Sequence, residues 1–268
     1  MTQPFVFLAI PSFRGQPERE FVLSLMQTQK ALAEAGINYV LSMLAGDPYL
    51  SKVRDRLASA FLTTWPQATD FFFLDDDIGW QPHKVVEFIR RPQDVVCGVY
   101  PKKQDPLEFP TTLEIDDAQN MIWDGDLVQS HLAPTGFMRI KRRVLEKMAM
   151  HAPRYYESSA TGEQLLLWSI FEARFVDLKM HELARTDLDA LSHEDAIMHL
   201  KRALGVTTGQ EIGQFWGEDY WFTERWRRMG GKIWVDPEIE FTHRGSKAWA
   251  ANFGHSVRAT MARQKEAA

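Results

Sequence analysis

The sequence predicts an α/β fold built around a doubly wound, mostly parallel sheet, and three features lead to that expectation. Short apolar runs alternate with amphipathic segments of helical spacing from the N-terminus onward. These runs are apolar at nearly every position, which is typical of strands covered on both faces of a parallel sheet. The chain has 268 residues, of which 45% are hydrophobic, so it is long enough to bury a large core as one domain.

The predicted elements follow one another in a regular order. Apolar residues three and four positions apart predict the helices, and Pro17 and Gly36 suit the beginning and end of the first one. Segment 177–213 is polar and has helical spacing, so we expect a helical insert within a single domain of residues 1–268. Strands are predicted at residues 5–10, 37–44, 70–74, 94–100, 111–115, 120–129, 135–140, 164–176, 232–235 and 239–243, and helices at residues 17–35, 50–65, 82–90, 142–150 and 216–229.

Composition and charge make several classes of protein less favoured. The net charge of −5 argues against sequence-independent nucleic-acid binding, which needs clustered positive charge, although a local basic patch stays open. Cys97 is the single cysteine, so an internal disulfide is impossible, and its apolar setting predicts a buried thiol. No apolar run approaches the ~20 residues of a transmembrane helix, and the N-terminus lacks the positive region of a signal peptide. We therefore expect a cytoplasmic protein.

The most distinctive motif is FFFLDDDIGW, residues 71–80, where Asp75, Asp76 and Asp77 directly follow an apolar strand. Ligands of open α/β sheets bind beyond the carboxyl ends of the strands. Adjacent carboxylates repel one another and need a cation or strong hydrogen bonds to offset the repulsion. In an extended chain Asp75 and Asp77 share one side, which suits a hard divalent cation that neutralises a diphosphate. The alternative is a capping or turn role before Pro82.

Two further motifs lie toward the C-terminus. WGEDYWF, residues 216–222, places Glu218 and Asp219 at the beginning of a predicted helix. Acidic residues are common there because of the helix dipole, but a carboxylate in that position can also deprotonate a hydroxyl. FTHRG, residues 241–245, places His243 after a strand. Such a histidine is more often a structural hydrogen-bonding group, unless it completes a coordination shell with the aspartates.

Taken in order, these motifs resemble the GT-A nucleotide-diphospho-sugar glycosyltransferases, especially family 2-like members. The segments SKVRDRLASAFL (residues 51–62) and APTGFMRI (residues 133–140) are similar to the arginine-bearing helix and the Gly-Phe strand of that family, and residues 217–245 resemble its C-terminal block. The resemblance covers most of the chain except about residues 177–213. It implies a Rossmann-like GT-A fold, a UDP- or GDP-sugar donor and a divalent metal, Mn²⁺ or Mg²⁺.

The resemblance also implies a metal and diphosphate site. Asp75 and Asp77 would form the DxD pair, with Asp77 as the direct metal ligand and Asp75 directed at the ribose or at metal-bound water. Asp76 is the middle residue of the motif and would lie on the donor side. His243 would be the C-terminal ligand of the metal or the diphosphate.

The resemblance implies donor-binding and catalytic residues as well. Pro11 and Ser12, at the end of the first strand, would lie where the family holds the nucleotide, and Arg54 would contact the donor. Asp219 would be the catalytic base of an inverting enzyme, with Glu218 beside it. The residue after Arg54 is aspartate, where the family more commonly has asparagine.

Several other residues allow both a functional and a structural role. Trp80, Trp216 and Trp221 could stack on a sugar, but packing in the core is the commoner role of any one tryptophan. Lys102 and Lys103 could contact phosphates, but a pair of lysines in an exposed loop is usually only solvated.

Other functions remain as alternatives. A nucleotidyltransferase or a non-catalytic nucleotide-sugar-binding protein could share the fold, but the loop PSFRGQP, residues 11–17, lacks the glycine-rich and basic run expected of the former. A metal hydrolase would need a further ligand group, and the sequence has no HxH or HxxxH pair. The acceptor is not identified by the sequence, and segment 177–213 is expected to shape its binding site.

Overall fold

A computed structural model describes residues 3–158, 162, 164–177, 192–195, 197 and 213–267. The described strands are β1 (Phe5–Ser12), β2 (Asn38–Ala45), β3 (Asp70–Leu74), β4 (Ile78–Gly79), β5 (Val95–Gly98), β6 (Thr112–Leu113), β7 (Trp123–Asp124), β8 (Leu127–Leu132), β9 (Phe137–Lys141), β10 (Arg154–Ser158), β11 (Gln164–Trp168), β12 (Arg174–Asp177), β13 (Gly213–Trp216), β14 (Ile233–Asp236), β15 (Glu240–Arg244) and β16 (Ala248–Asn252). The described helices are α1 (Arg19–Glu34), α2 (Leu50–Thr64), α3 (His83–Arg90), α4 (Arg142–His151), α5 (Glu218–Arg228) and α6 (Phe253–Ala267).

The main sheet has the strand order β2-β1-β3-β9-β5-β14-β8-β6, with β7 paired to β8. Strands β2, β1, β3, β5 and β14 run in the same direction, whereas β9 and β8 run against them. The structure therefore confirms an α/β protein whose central sheet is largely parallel in direction. The antiparallel β9 between β3 and β5 was not predicted, because strand order depends on long-range pairing that local patterns do not record.

Helices cover both faces of this sheet, because successive side chains of a strand point to opposite faces. In β1, Val6 and Leu8 join the core under α1 and α3, while Phe7 and Ala9 join the core under α2, α4 and α5. Both groups are fully buried. Cys97 belongs to the second core, as predicted, and burial raises the pKa of its thiol. The doubly wound arrangement of the sheet thus follows directly from its apolar strands.

A smaller sheet of order β16-β15-β4 carries the C-terminal histidine. Strand β4 follows the three aspartates at once, and β15 pairs with it so that His243 lies opposite Ile78. This pairing brings two distant motifs of the sequence to one edge of the molecule.

A partly buried arginine, Arg142, fixes the helix that precedes the aspartates. Arg142 donates hydrogen bonds to the carbonyls of Phe61 (2.9 Å) and Trp65 (2.5 Å) at the end of α2, and its guanidinium lies 4.1 Å from the ring centre of Phe61. These bonds satisfy the free carbonyls of the last helical turn. Since α2 also carries Arg54, they help to position the candidate site.

Several sequence expectations differ from the structure. Residues 164–176 form two strands, because Asp55 accepts hydrogen bonds from Ile170 N (2.9 Å) and Phe171 N (2.7 Å) and turns the chain between them. Residues 120–129 form the β7–β8 hairpin, whose turn uses the positive φ of Gly125. Strands β4, β10, β13 and β16 and helix α6 were not predicted at all.

Segment 177–213, expected to be a helical insert, lies outside the described residues apart from its two ends and residues 192–195 and 197. Its ends belong to an antiparallel pair of strands, in which Asp177 of β12 lies opposite Gly213 of β13. No helix in the described parts of the chain is long and apolar enough to cross a membrane.

Candidate active site

The three aspartates lie at the carboxyl edge of the main sheet, directly after β3. The end of β1 and the beginning of β9 meet there too, because Leu74 pairs with Phe137 and β1 runs parallel to β3. The backbone of each aspartate is hydrogen-bonded to a different segment of the chain. Asp75 N donates to Gly136 O, whereas Asp76 O accepts from Glu18 N and Asp77 O accepts from Arg244 N, each at 2.8 Å.

The three carboxylates have different bonded partners, although the charges of Asp75 and Asp77 still act on one another. The expectation that Asp75 and Asp77 share one side stays a prediction. That expectation assumed an extended chain, whereas residues 76 and 77 form a turn. The hydrogen-bonded or charged partners are Arg54 for Asp75, Ser12 for Asp76, and His243 and Lys103 for Asp77.

Arg54 organises an inner cluster made of Arg54, Asp75, Tyr100 and Glu218. Its Nη2 lies 2.9 Å from Asp75 Oδ1, its Nε lies 3.2 Å from Glu218 Oε1, and its guanidinium lies 4.6 Å from the ring centre of Phe73. Tyr100 donates from its hydroxyl to Asp75 Oδ2 at 3.2 Å. The Arg54 side chain is only 2% exposed, so it positions the two carboxylates from beneath the site.

Burial and charge oppose each other in this cluster. Burial alone lowers the pKa of Arg54, but Asp75 and Glu218 outweigh that effect and raise it, so the guanidinium stays charged. Burial also raises the pKa of Asp75, and the Arg54 charge only partly offsets that change. The cluster is thus an ion-paired unit whose members depend on one another.

Glycine is the only residue type that fits at position 136, beside Asp75 and Tyr100. A Cβ there would lie 2.2 Å from Asp75 Oδ2 and 2.4 Å from the Tyr100 hydroxyl. Any side chain at position 136 would therefore displace the Asp75 carboxylate from its partners. This steric conflict explains the glycine of the Gly-Phe strand noted in the sequence.

Asp76 is held from the N-terminal side. Ser12, at the end of β1, donates its hydroxyl to Asp76 Oδ2 and accepts a hydrogen bond from Gly15 N at 3.0 Å. Burial raises the pKa of Asp76 and the Ser12 hydrogen bond opposes that change. Pro11 precedes Ser12 and is buried. The predicted donor residues Ser12 and Asp76 are thus brought together.

Asp77 belongs to an outer cluster made of Asp77, Lys103 and His243. His243 Nε2 lies 3.5 Å from Asp77 Oδ1, and Lys103 Nζ lies 2.5 Å from Oδ2. Burial alone would raise the pKa of Asp77, but the hydrogen bonds from His243 and Lys103 outweigh it and lower the pKa below its usual value. Asp77 therefore stays ionised.

Asp77 and His243 fit a shared divalent ion. His243 Nδ1 lies 2.7 Å from Pro101 O, which can only accept, so Nδ1 donates there and Nε2 is the ring nitrogen that faces Asp77. Within the described part of the chain, no three His, Cys, Asp or Glu side chains are grouped to hold a metal by themselves. A set of two protein donors is usual where phosphate oxygens and water complete the shell of Mg²⁺.

Asp219 occupies the second position of α5, next to the inner cluster. Its Oδ1 accepts a hydrogen bond from Tyr220 N at 2.7 Å, which leaves Oδ2 to face other groups. Burial, with a smaller effect from the charge of Glu218, raises the pKa of Asp219 to about 6. A carboxylate with a pKa near neutrality is well matched to accepting a proton.

A cavity of about 520 Å³ opens at the outer cluster. It carries three cationic side chains and one aromatic ring, which is 62% exposed. Its lining includes Phe13, Arg14, Asp76, Asp77, Lys103 and Arg244.

A larger cavity of about 730 Å³ lies beside α1 and the small sheet, away from the three aspartates. Glu20 lines this larger cavity and forms an ion pair with Arg244, which lines the smaller one. Of these two cavities, only the smaller one is lined by aspartates of residues 75–77, which we call the DDD turn. The smaller cavity is therefore the candidate ligand site.

The sequence analysis did not predict the contribution of Tyr100 or the pairing of Lys103 with Asp77. Tyr100 follows β5, the next parallel strand of the sheet, so its position after a strand end was the available signal. Lys103 was expected to be solvated but pairs with Asp77. The tryptophans are packed: Trp80, Trp216 and Trp221 are each at most 7% exposed, and each indole N–H donates to a neighbouring side chain.

Comparisons with known proteins leave the family open. No protein-family profile matches the chain, and no curated protein matches it. Among solved structures, A197 from STIV is 16% identical, with a TM-score of 0.46 over 94% of this chain and 91% of that one. A glycosyltransferase involved in the glycosylation of the major capsid of PBCV-1 is 12% identical, with a TM-score of 0.30 over 54% of this chain and 63% of that one. Likenesses at these TM-scores carry no argument about function.

Proposed function

We propose that this protein is a metal-dependent GT-A glycosyltransferase that moves a sugar from a nucleoside-diphosphate donor to an acceptor hydroxyl. The observation that carries the proposal is the inner cluster. Arg54 bonds to Asp75 of the DDD turn and to Glu218 at the beginning of α5, so the two acidic motifs belong to one site. A cavity lined by three cationic side chains opens at the neighbouring outer cluster, and Asp219 beside Glu218 is a carboxylate that can act as a base.

The cavity at the outer cluster supports a nucleoside-diphosphate donor. Such a donor has an aromatic base and an anionic diphosphate, and the cavity offers the exposed ring of Phe13 beside Arg14, Lys103 and Arg244. Aromatic stacking and charge-assisted hydrogen bonds are the interactions that these two parts of a donor need. UDP- and GDP-sugars are both compatible with this set.

Asp77 and His243 are the residues that would hold Mn²⁺ or Mg²⁺, and the ion would offset the negative charge of the leaving diphosphate. Asp76 stays outside that pair because Ser12 holds it. Asp75 lies in the inner cluster, where Arg54 and Tyr100 occupy its two oxygens. We therefore assign Asp75 to positioning, and Asp77 and His243 to the metal.

Asp219 is the proposed general base. The acceptor oxygen attacks the anomeric carbon, the bond from that carbon to the diphosphate oxygen breaks, and the acceptor proton passes to Asp219 Oδ2. Oδ1 stays bound to Tyr220 N, which fixes the carboxylate during the transfer. Because the attacking oxygen enters opposite the leaving group, the anomeric configuration inverts.

The reaction products test this proposal. The protein is incubated with Mn²⁺, UDP- or GDP-sugars and a mixed panel of glycan, peptide and lipid-linked acceptors, and the products are identified by mass spectrometry. We expect release of the nucleoside diphosphate together with a glycosylated acceptor. Release of pyrophosphate would identify a nucleotidyltransferase instead, and tight donor binding without any release would identify a non-catalytic binding protein.

A further inference from the structure

The Lys103 side chain is built into the outer cluster rather than free in solvent. Its ammonium pairs with Asp77 Oδ2, on the oxygen opposite the one that His243 faces. Its aliphatic stem lies against Gly245, where an added Cβ would come within 3.0 Å of Lys103 Cδ. The absence of a side chain at residue 245 thus makes room for this lysine, which is still 34% exposed and able to move.

The loop that carries Lys103 is fastened at several points. His243 donates to the Pro101 carbonyl, Lys102 Nζ lies 3.0 Å from Glu108 Oε2, and Lys247 pairs with Asp105. A loop held at both ends presents Lys103 to Asp77 with little conformational freedom left to lose.

We propose that Lys103 is the counter-cation of Asp77 when no ligand is bound. A divalent metal then displaces the Lys103 ammonium from Asp77, and the ammonium pairs with the donor diphosphate instead. The inference rests on the proposed function and adds an order to it: metal and donor bind weakly alone and strongly together. Lysine suits this role because it is a compact charge on a flexible stem, so it can exchange one anionic partner for another.

Elementary electrostatics supports the exchange. Without ligands, Lys103 neutralises Asp77, so a second cation gains less from the carboxylate and is repelled by the ammonium. When a diphosphate enters the cavity, it offers Lys103 a new anionic partner and frees Asp77 Oδ2. Since coupling between two ligands is reciprocal, the donor must then strengthen metal binding by the same factor by which metal strengthens donor binding.

The decisive variant is Lys103→Met, which keeps the aliphatic stem and removes the charge. Lys102→Met is the matched control, because Lys102 is the adjacent residue in the same loop and pairs with Glu108, away from Asp77. Mn²⁺ affinity is measured from the electron paramagnetic resonance signal of the free ion, without nucleotide and with saturating UDP or GDP in separate samples. Thermal unfolding midpoints confirm that both variants are folded.

We expect opposite changes in the two measurements for Lys103→Met. Mn²⁺ alone binds roughly three- to fivefold more tightly, whereas the nucleoside diphosphate, at saturating Mn²⁺, binds roughly tenfold more weakly because a charge-assisted hydrogen bond is lost. Lys102→Met changes neither affinity. A lysine with a merely structural role would weaken both or alter neither.

Two failures are distinguishable. If wild-type protein binds Mn²⁺, Asp77→Asn weakens that binding and Lys103→Met matches Lys102→Met, the counter-cation inference is overturned and the proposed metal site stands. If wild-type protein binds no Mn²⁺ with or without UDP or GDP, the metal site itself is wrong and the inference falls with it.

Discussion

The inner and outer clusters lie side by side at one sheet edge and differ in what they leave available. In the inner cluster, Arg54 is buried and both oxygens of Asp75 already have protein partners. In the outer cluster, Asp77 and Lys103 are about one-third exposed and line a cavity. The difference teaches that neighbouring aspartates of one motif can have different surroundings, one with both oxygens bonded within the protein and one facing a cavity.

The largest expected effect falls on catalysis, next to the inner cluster. Asp219→Asn keeps the hydrogen bond from Tyr220 N but removes the base, so turnover should fall by ~10²–10⁴-fold with donor affinity nearly unchanged. The matched control is Asp117→Asn, at an exposed turn residue. Equal losses of turnover and donor affinity would make Asp219 a structural residue of the helix start, and retention of the anomeric configuration by NMR would exclude its role as base.

The pH dependence of turnover sharpens the same assignment. Because the pKa of Asp219 is raised to about 6, the ionised base is present above that pH and is lost below it. Turnover should therefore decline as pH falls through about 6, by up to tenfold per pH unit. A profile that stays flat from pH 7 to pH 5 would contradict the assignment.

Substitutions in the two clusters should change the free energy of unfolding by different amounts. Arg54→Met leaves Asp75 and Glu218 without their partner, and breaking such a buried pair typically lowers the free energy of unfolding by about 3–5 kcal/mol. Asp77→Asn should change it by less than about 1 kcal/mol, yet weaken Mn²⁺ binding. Urea unfolding of both variants, with Mn²⁺ titrations on Asp77→Asn, measures the contrast. Similar losses of stability in both would show that the outer cluster is also structural.

A smaller effect is expected behind the inner cluster, at Asp55. Burial raises the pKa of Asp55 to about 7, so the folded state binds a proton more tightly than the unfolded chain. The stability from this group is present below its unfolded pKa and is lost as pH rises toward 7 and above.

Asparagine at this position can still accept from Ile170 N and Phe171 N while carrying no charge. Asp55→Asn should therefore raise the free energy of unfolding at pH 8 by roughly 1–2 kcal/mol and change it little at pH 4. Urea unfolding at both pH values checks this. A variant less stable at pH 8 than the wild type would show that the negative charge itself is needed.

The smallest expected effect is on donor binding when residues 178–212 are removed. Asp177 and Gly213 are paired across an antiparallel ladder, so a two-residue Asn-Gly turn can join them. Donor affinity should be unchanged, while transfer to the acceptor should be lost or altered. If acceptor kinetics match those of the full chain, the segment does not contribute to the acceptor site.

The sequence predicted local elements well and their pairing poorly. Apolar runs located β1 and β3, since burial on both faces is recorded in consecutive residues. The insertion of β9 between β3 and β5 has no such record, because it depends on partners distant in the chain. Periodicity also joined β11 and β12 into one strand, since nothing local reveals that Asp55 binds the backbone between them.

The sequence predicted which residues belong to the candidate site better than it predicted how their side chains are arranged. The motifs located Asp77, Asp219 and His243, but the direction of each carboxylate depends on a turn that local alternation does not describe. Lys103 was considered only as a phosphate contact or a solvated residue, because a pair of lysines in a loop does not show that one of them pairs with an aspartate. Its role depends on Asp77, which is distant in sequence but adjacent in space.

The position of β5 has a consequence for biosynthesis. Its two neighbours, β9 and β14, both follow it in the chain, and β14 is formed about half the chain length later. Translation proceeds at roughly 5–20 residues per second, so β5 leaves the ribosome several seconds before its last partner. During that interval its apolar edge is open to pairing with other chains. The dependence of a nascent chain on chaperones should therefore be greatest around β5, and least for the early unit of β2, β1 and β3, which pair with one another as soon as they emerge.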